Sequence, residues 1–335
     1  MNRDGWERAG AAERSALATR LLDELPAGFA FDRLTRRSLG GEAAEVADFS
    51  YDGCRFVYVP GGEVTVGLEP SGWTPTAEER LSYAGSAEEY GLPESIHEYL
   101  ASVCLPRRRI VVPSLMVEVG TREPGWREIA EAEARVRLGS SFPIAPGDVK
   151  FFSAEVVTRV SLDARGNGRY LEQSGERHAD IVREMAPFRL PTSDEWEYLC
   201  GGGAATLFRW GDHAPCHLYP TDVSVEEATW RRDWALSQGM LERPAEGFEP
   251  EFSLHKQPNA FGVLVSGDPY KAELVAEPDR RRGGDGGCTI CGGMGFWLGW
   301  LTLATSFFEP ELCGADPNEP IDGDYARFRR VLALD

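Results

Sequence analysis

The sequence predicts an α+β chain that is loop-rich, with little regular secondary structure. Three observations predict it. Arg14–Leu25 places Leu17, Leu21, Leu22 and Leu25 on one stripe, the spacing of an amphipathic helix. Phe56–Gly67 alternates apolar residues on either side of Pro60-Gly61-Gly62, which is a hairpin signal. From about residue 200 the periodicity weakens, and glycines crowd in at Gly201–Gly203, Gly283–Gly284, Gly286–Gly287 and Gly292–Gly293. Trp and Phe stay frequent there, which argues for long packed loops and against a disordered tail.

The 335 residues allow one large domain or two smaller ones, and 42% apolar residues suffice for a sizeable core. Acidic side chains number 54 against 35 basic ones, a net charge of −19. A nucleic-acid partner needs a concentrated basic face, and anionic lipid repels an acidic surface, so neither nucleic acid nor membrane is expected as a partner. The charge suits a soluble, cytoplasmic protein. The first residues are charged and lack the apolar region of a signal peptide. The longest apolar stretch, Met294–Phe308, spans 15 residues and reads as buried strands, since a membrane span takes roughly 18 or more. Seven cysteines, an odd number without a secretory signal, leave reduced thiols as the default.

Along the chain, Pro26 ends the first helix. Ala87–Leu105 and Trp126–Leu138 read as helices with charge on one face, and Arg109–Val119 and Val156–Leu162 as strands. In Phe188–Asp212, Thr192 and Glu195 form a Thr-x-x-Glu capping box behind Pro191. Trp196 and Leu199 then face the core, and Gly201–Gly203 ends the helix.

The wording of that segment is more specific than a capped helix. It resembles the signature of the formylglycine-generating enzyme (sulfatase-modifying factor) family, at Arg189–Thr192, Glu195–Tyr198 and Trp210–Gly211. Val59–Gly62 with Val66-Gly67 resembles that family's opening Pro-Gly-Gly segment. Asn259–Gly262 resembles its Asn-x-Phe-Gly, Arg282–Gly284 its Arg-Gly-Gly-Ser-Trp, and Phe328-Arg329 its terminal Gly-Phe-Arg. The resemblance covers residues 51–335 and implies the family's C-type lectin-like fold there. Residues 1–50 match no landmark of the family and are expected as a helical lead-in.

In the family's enzymes a Cys follows Arg-Gly-Gly-Ser-Trp-x and a second comes five residues later. The pair holds Cu(I) and oxidises a substrate cysteine with dioxygen, a task that suits soft thiolate ligands. Here Cys288 takes the first place, Gly293 stands where the second Cys belongs, and Cys291 comes three residues after Cys288. Asp285 and Gly286 replace the Ser and Trp. Anchoring the comparison on Leu301–Ser306 brings Cys291 near the first place instead. The resemblance thus implies Cys288, Cys291 and Asp285 as the catalytic zone, and Cys288 and Cys291 as the copper ligands. Two semi-buried structural thiols and a redox dithiol are the other readings of Cys-Thr-Ile-Cys.

The family's calcium segment reads Gly267-Asp268-Pro269-Tyr270-Lys271-Ala272 here, and an ammonium beside Ca²⁺ is repulsive. A rearranged calcium site would draw on Asn259, Asp268 and Glu273. The acidic run Asp316–Asp324 is either another calcium loop or a solvated turn. Of the dispersed histidines only His213-x-x-Cys216-His217 clusters.

Two functions remain. Several departures fall around the catalytic and calcium segments while the scaffold motifs stay intact. They imply a chain that has left the sulfatase-activating role and acts as a non-catalytic module for a protein, peptide or small-molecule ligand, with Trp230, Trp234, Trp297 and Trp300 as candidate anchors. The alternative is a Cu(I)-dependent, dioxygen-using oxidase of a thiol or peptide cysteine through Cys288 and Cys291.

Overall fold

A computed structural model describes residues 3–139, 149–152, 157–163, 165–221, 229–230, 232–233, 236–237, 239, 253–284, 296–308, 316 and 318–334. Helices α1 (Arg3–Arg8) and α2 (Ala11–Leu21) open the chain. The leucine stripe of α2 and the turn after it packs with Trp6 and Ala18 against Phe49, Phe56, Tyr58 and Met116. Strands β1 (Ala30–Leu39) and β2 (Glu42–Tyr51) follow. Their two-residue turn, Gly40-Gly41, takes φ +68° and +83°, the left-handed values a primed hairpin turn needs.

The helical lead-in expected over residues 1–50 is corrected here, because its second half is this pair of strands. Ala47 and Phe49 are buried while Asp48 and Ser50 between and beside them are less so, the period of two that places β2 in a sheet. Strand β3 (Cys54–Val59) pairs with β2 from Tyr51↔Cys54 to Ala47↔Tyr58, so one sheet runs across residue 50.

Strand β4 (Gly62–Val66), helix α3 (Ala77–Tyr90) and helix α4 (Ile96–Val103) come next. One helix through Ala87–Leu105 does not form: Gly91 caps α3 at φ +65°, and Pro93 follows before Ser95 starts α4. Strands β5 (Arg108–Val112) and β6 (Ser114–Glu118) divide the expected Arg109–Val119 strand at Pro113. Strand β7 (Trp126–Glu128) and helix α5 (Glu131–Leu138) divide the Trp126–Leu138 helix. Then come β8 (Val149–Phe152), β9 (Thr158–Leu162), β10 (Gly168–Gln173), α6 (His178–Glu184) and α7 (Ser193–Gly201). The chain closes with β11 (Ala272–Leu274), β12 (Arg281–Arg282), α8 (Phe296–Leu301), β13 (Ala326–Arg327) and β14 (Val331–Leu334).

The central sheet has the order β1-β2-β3-β6-β14 and is antiparallel throughout. Smaller sheets are β7-β10-β9-β8, β12-β11-β13 and β4-β5, in which only β11 and β13 pair in parallel. The hairpin expected over Phe56–Gly67 is a corner instead. Strand β3 pairs with β6 in the central sheet and β4 pairs with β5 in another, so both chains change sheet together, at Pro60-Gly61 and at Pro113. A Cβ on Gly61 would stand 2.2 Å from the carbonyl carbon of Pro113. Only glycine lets the two bent backbones cross so closely.

The architecture is mixed α+β with several small antiparallel sheets, at 30% helix and 28% strand. That is an ordinary content for a globular protein, so the expected scarcity of regular structure is corrected. The apolar run at Met294–Phe308 is also corrected: from residue 296 it forms α8 and turns, not strands. A short apolar run has no periodicity to separate a buried strand from a buried helix.

Candidate functional site

Helix α7 organises the site. Thr192 accepts from the Glu195 amide at 3.2 Å, and Glu195 accepts from the Thr192 amide at 2.8 Å, the reciprocal box the spacing predicts. Arg189 grips the same Glu195 with two hydrogen bonds of 2.6 and 2.7 Å. At the far end, Asn259 donates to the carbonyls of Leu199 at 2.6 Å and Cys200 at 3.1 Å. It thereby satisfies carbonyls that a helix end leaves orphaned.

Acidic residues on α7 each meet an arginine. Arg108 donates to Asp194 at 2.5 Å and to Glu197 at 2.8 Å. Arg282, from β12, donates to the same Glu197 oxygen at 3.1 Å and to the Thr305 carbonyl at 3.2 Å. Its guanidinium lies 5.1 Å from the Trp196 ring centroid. Glu197 and Arg282 are each 1% exposed by side chain. Burial pulls the Arg282 guanidinium below its ordinary pKa, Glu197 supports the charge, and it stays a cation at neutral pH. Among the described residues, Arg282 Nε and Glu197 Oε1 are both buried without a hydrogen-bond partner.

Gly283 and Gly284 follow at φ +67° and +64°, and a Cβ on Gly284 would meet the Ala272 nitrogen at 2.6 Å. This turn pins the chain to β11 just ahead of Asp285, Cys288 and Cys291, which lie outside the described residues. Beside it opens a cleft of about 380 Å³, lined by Leu105, Ser193, Phe308 and the run Asp279–Arg282. That volume lies in the range of small-molecule sites.

The residues weighed as calcium ligands are engaged otherwise. Glu273 takes Arg329 on both oxygens at 2.8 Å and the Ser266 amide at 2.9 Å. Arg329 also donates to the carbonyls of Glu118, Val119 and Leu264, which ties β11 to the central sheet. Asn259 spends its oxygen on the Phe261 and Val263 amides. Asp268 pairs with Lys271 at 3.3 Å and caps Tyr270. The three do not converge on a cation, because protein donors hold their oxygens. In the acidic run, Asp316 and Asp322 bond to Asn318 and to the Asp324 amide, as solvated turns do. Among the described residues no group of three or more His, Cys, Asp or Glu is placed to hold a metal.

Burial pushes the Cys104 thiol up to about 12 and the Cys200 thiol up to about 11, so both are inert. His213 contacts Glu79 at 3.1 Å, Cys216 bonds to the Ala214 carbonyl, and His217 sits edge-on to Trp230. The three do not form a ligand set. Trp297 and Trp300 are core residues, Trp230 is 43% exposed, and Trp234 lies outside the described residues. Sequence reasoning missed Arg108, Glu197 and Arg329 as the holders of this framework. The one usable signal was a run of acids in the first turns of a capped helix, which demands cations from elsewhere.

Among the described residues no helix is long and apolar enough to cross a membrane. No known family and no curated protein sequence matches the chain.

Proposed function

We propose that the chain is a divergent formylglycine-generating-enzyme-like protein that has left the sulfatase-activating role and serves as a non-catalytic binding module. Its seat for a ligand is the cleft beside β12. The observation that carries this reading is that cleft, with the buried Arg282 among its lining residues. The quoted scaffold motifs support the likeness through their physical roles. Arg189 and Thr192 start α7, Asn259 closes it, and Arg329 clamps Glu273. Around the segment that resembles the calcium segment, the protein bonds of Glu273 and Asn259 favour a structural role over a cation site.

Copper chemistry is the second reading. Cys288 and Cys291 would hold Cu(I), which supplies dioxygen-dependent oxidation of a thiolate when bound. Cys104, the described cysteine close to Arg282 and Ser306, keeps its proton through burial. A further thiolate would therefore come from a substrate.

One experiment separates the two readings. Ligand-observed NMR with a set of neutral, anionic and cationic small molecules is run on the full chain and on Leu105→Trp, which fills the cleft. Compounds bound by the first and lost in the second support the module, and their absence overturns it. Stoichiometric Cu(I) uptake under a competing chelator, with dioxygen consumed in the presence of a cysteine peptide, overturns its non-catalytic character in favour of the oxidase.

A further inference from the structure

We infer that this cleft is built for a small organic anion, a carboxylate or phosphate carried on an apolar body. The inference rests on the binding-module reading and names the ligand class of that same site.

The chain as a whole carries −19, so its surface repels anions in general. Against that background the described lining of the cleft brings together Arg280, Arg281 and Arg282 with one acid, Asp279. Nearby Glu277 accepts from the Ser193 amide at 2.9 Å. Arg280 is exposed, and no ion pair of it falls among the described residues. Arg282 is the opposite, 1% exposed and fixed by Glu197, Thr305 and the Trp196 face, with no partner for Nε among the described residues. A guanidinium locked by packing loses little entropy when it binds a planar oxyanion, and the exposed Arg280 in the same lining adds a second donor fork. Leu105 and Phe308 on the other side of the cleft offer apolar surface to the remainder of the ligand. A fixed cation, an exposed cation and apolar lining residues in about 380 Å³ match an anionic head on a short hydrocarbon or ring.

The test is calorimetric titration of the full chain with four probes of one length: hexanoate, hexyl phosphate, hexanamide and hexylamine. Either anion is expected to bind on the order of tenfold more tightly than the amide, with the amine weakest and with affinity falling as salt rises. Whichever of hexanoate and hexyl phosphate binds more tightly identifies the head group. Arg280→Ala, an exposed substitution, should weaken the anion by on the order of tenfold, and Leu105→Trp should abolish binding. Arg109→Ala, at an exposed arginine paired with Glu63, should change nothing. Hexanamide binding as tightly as the anions, or anion binding indifferent to Arg280→Ala, overturns the inference and leaves the module standing. Failure of all four probes on the unaltered chain overturns both.

Discussion

Two halves of the interior are built on different physics. Under α3, α4 and α8 the core is mainly apolar: Leu100, Trp210, Trp297, Leu298 and Trp300 are at most 1% exposed and share one cluster, with Glu79 and Arg209 as buried charges beside it. Around α7 and β11 the core is ionic, with Glu197, Glu273, Arg282 and Arg329 each at most 2% exposed. The first is held by shape and area, and it degrades by degrees when volume is lost. The second is held by mutual neutralisation, so losing one partner strands a charge. The cleft opens beside the ionic half. A site that must present a fixed cation needs a framework able to keep one buried.

The largest expected effect tests that contrast directly. Glu273→Gln should cost about 3–5 kcal/mol in chemical denaturation, because Arg329 keeps its charge and loses its carboxylate. Replacing both residues by Met should recover a good part of that loss, and a double variant no better than the single one would break the comparison. On the apolar side, Leu298→Ala should cost about 2–5 kcal/mol, and Leu298→Met less than about 1.5 kcal/mol. If the methionine swap proved as damaging as alanine, shape alone would not describe that half.

A smaller effect belongs to the N-terminus of α7. Thr192→Ala should lower stability by about 1 kcal/mol through the lost cap of α7, readable as a shift in urea midpoint at unchanged slope.

The two halves should also answer pH in opposite senses. Burial alone would raise the Glu118 and Glu273 carboxyls. The charges and hydrogen bonds of Arg122 and Arg330 on the first, and of Arg329 on the second, outweigh it and hold both below the usual range. Their stabilisation is present above the unfolded carboxyl pKa of about 4.3 and disappears as pH falls through the lower folded values. His213 is raised, first by its hydrogen bond to Glu79 and against the pull of burial. Its contribution is full below about pH 6.5 and is lost as pH rises through the folded value. Urea midpoints of the unaltered chain and His213→Gln should therefore converge from pH 6 toward pH 9. A constant difference over that range would remove the His213 contribution.

Smallest of all, Val111→Thr changes an exposed strand position and should stay within about 0.5 kcal/mol. A larger change would show that β5 is covered by something outside its own sheet.

How much of this was legible beforehand depended on whether the information was local. The cap of α7 was readable because Thr192 and Glu195 satisfy each other within one turn. The leucine stripe of α2 was readable because a helix repeats its own face. Strands β3 and β4 were readable as strands but not as members of different sheets. Their partners, β6 and β5, come about fifty residues later, and alternation says nothing about who pairs with whom. The β1–β2 hairpin was less legible: Gly40-Gly41 is a turn signal, but Ala30–Leu39 carries charges on both sides of its apolar residues and shows no clean alternation. The quoted motifs drew attention to Glu273 and Asn259, but not to the groups they bond here: Arg329 and the Ser266 amide on the first, and the end of α7 on the second.

The sequence by itself settled the acidic balance, the capped helix and the leucine stripe, because each follows from composition or from neighbours within a turn or two. Tertiary structure alone decided that Arg282 and Arg108 share Glu197, that Arg329 holds Glu273, and that three arginines line one cleft. These are meetings of residues as far as 89 positions apart. A charge on a sequence is only a charge. Which opposite charge neutralises it, and whether water is excluded from the pair, is fixed when the chain closes on itself.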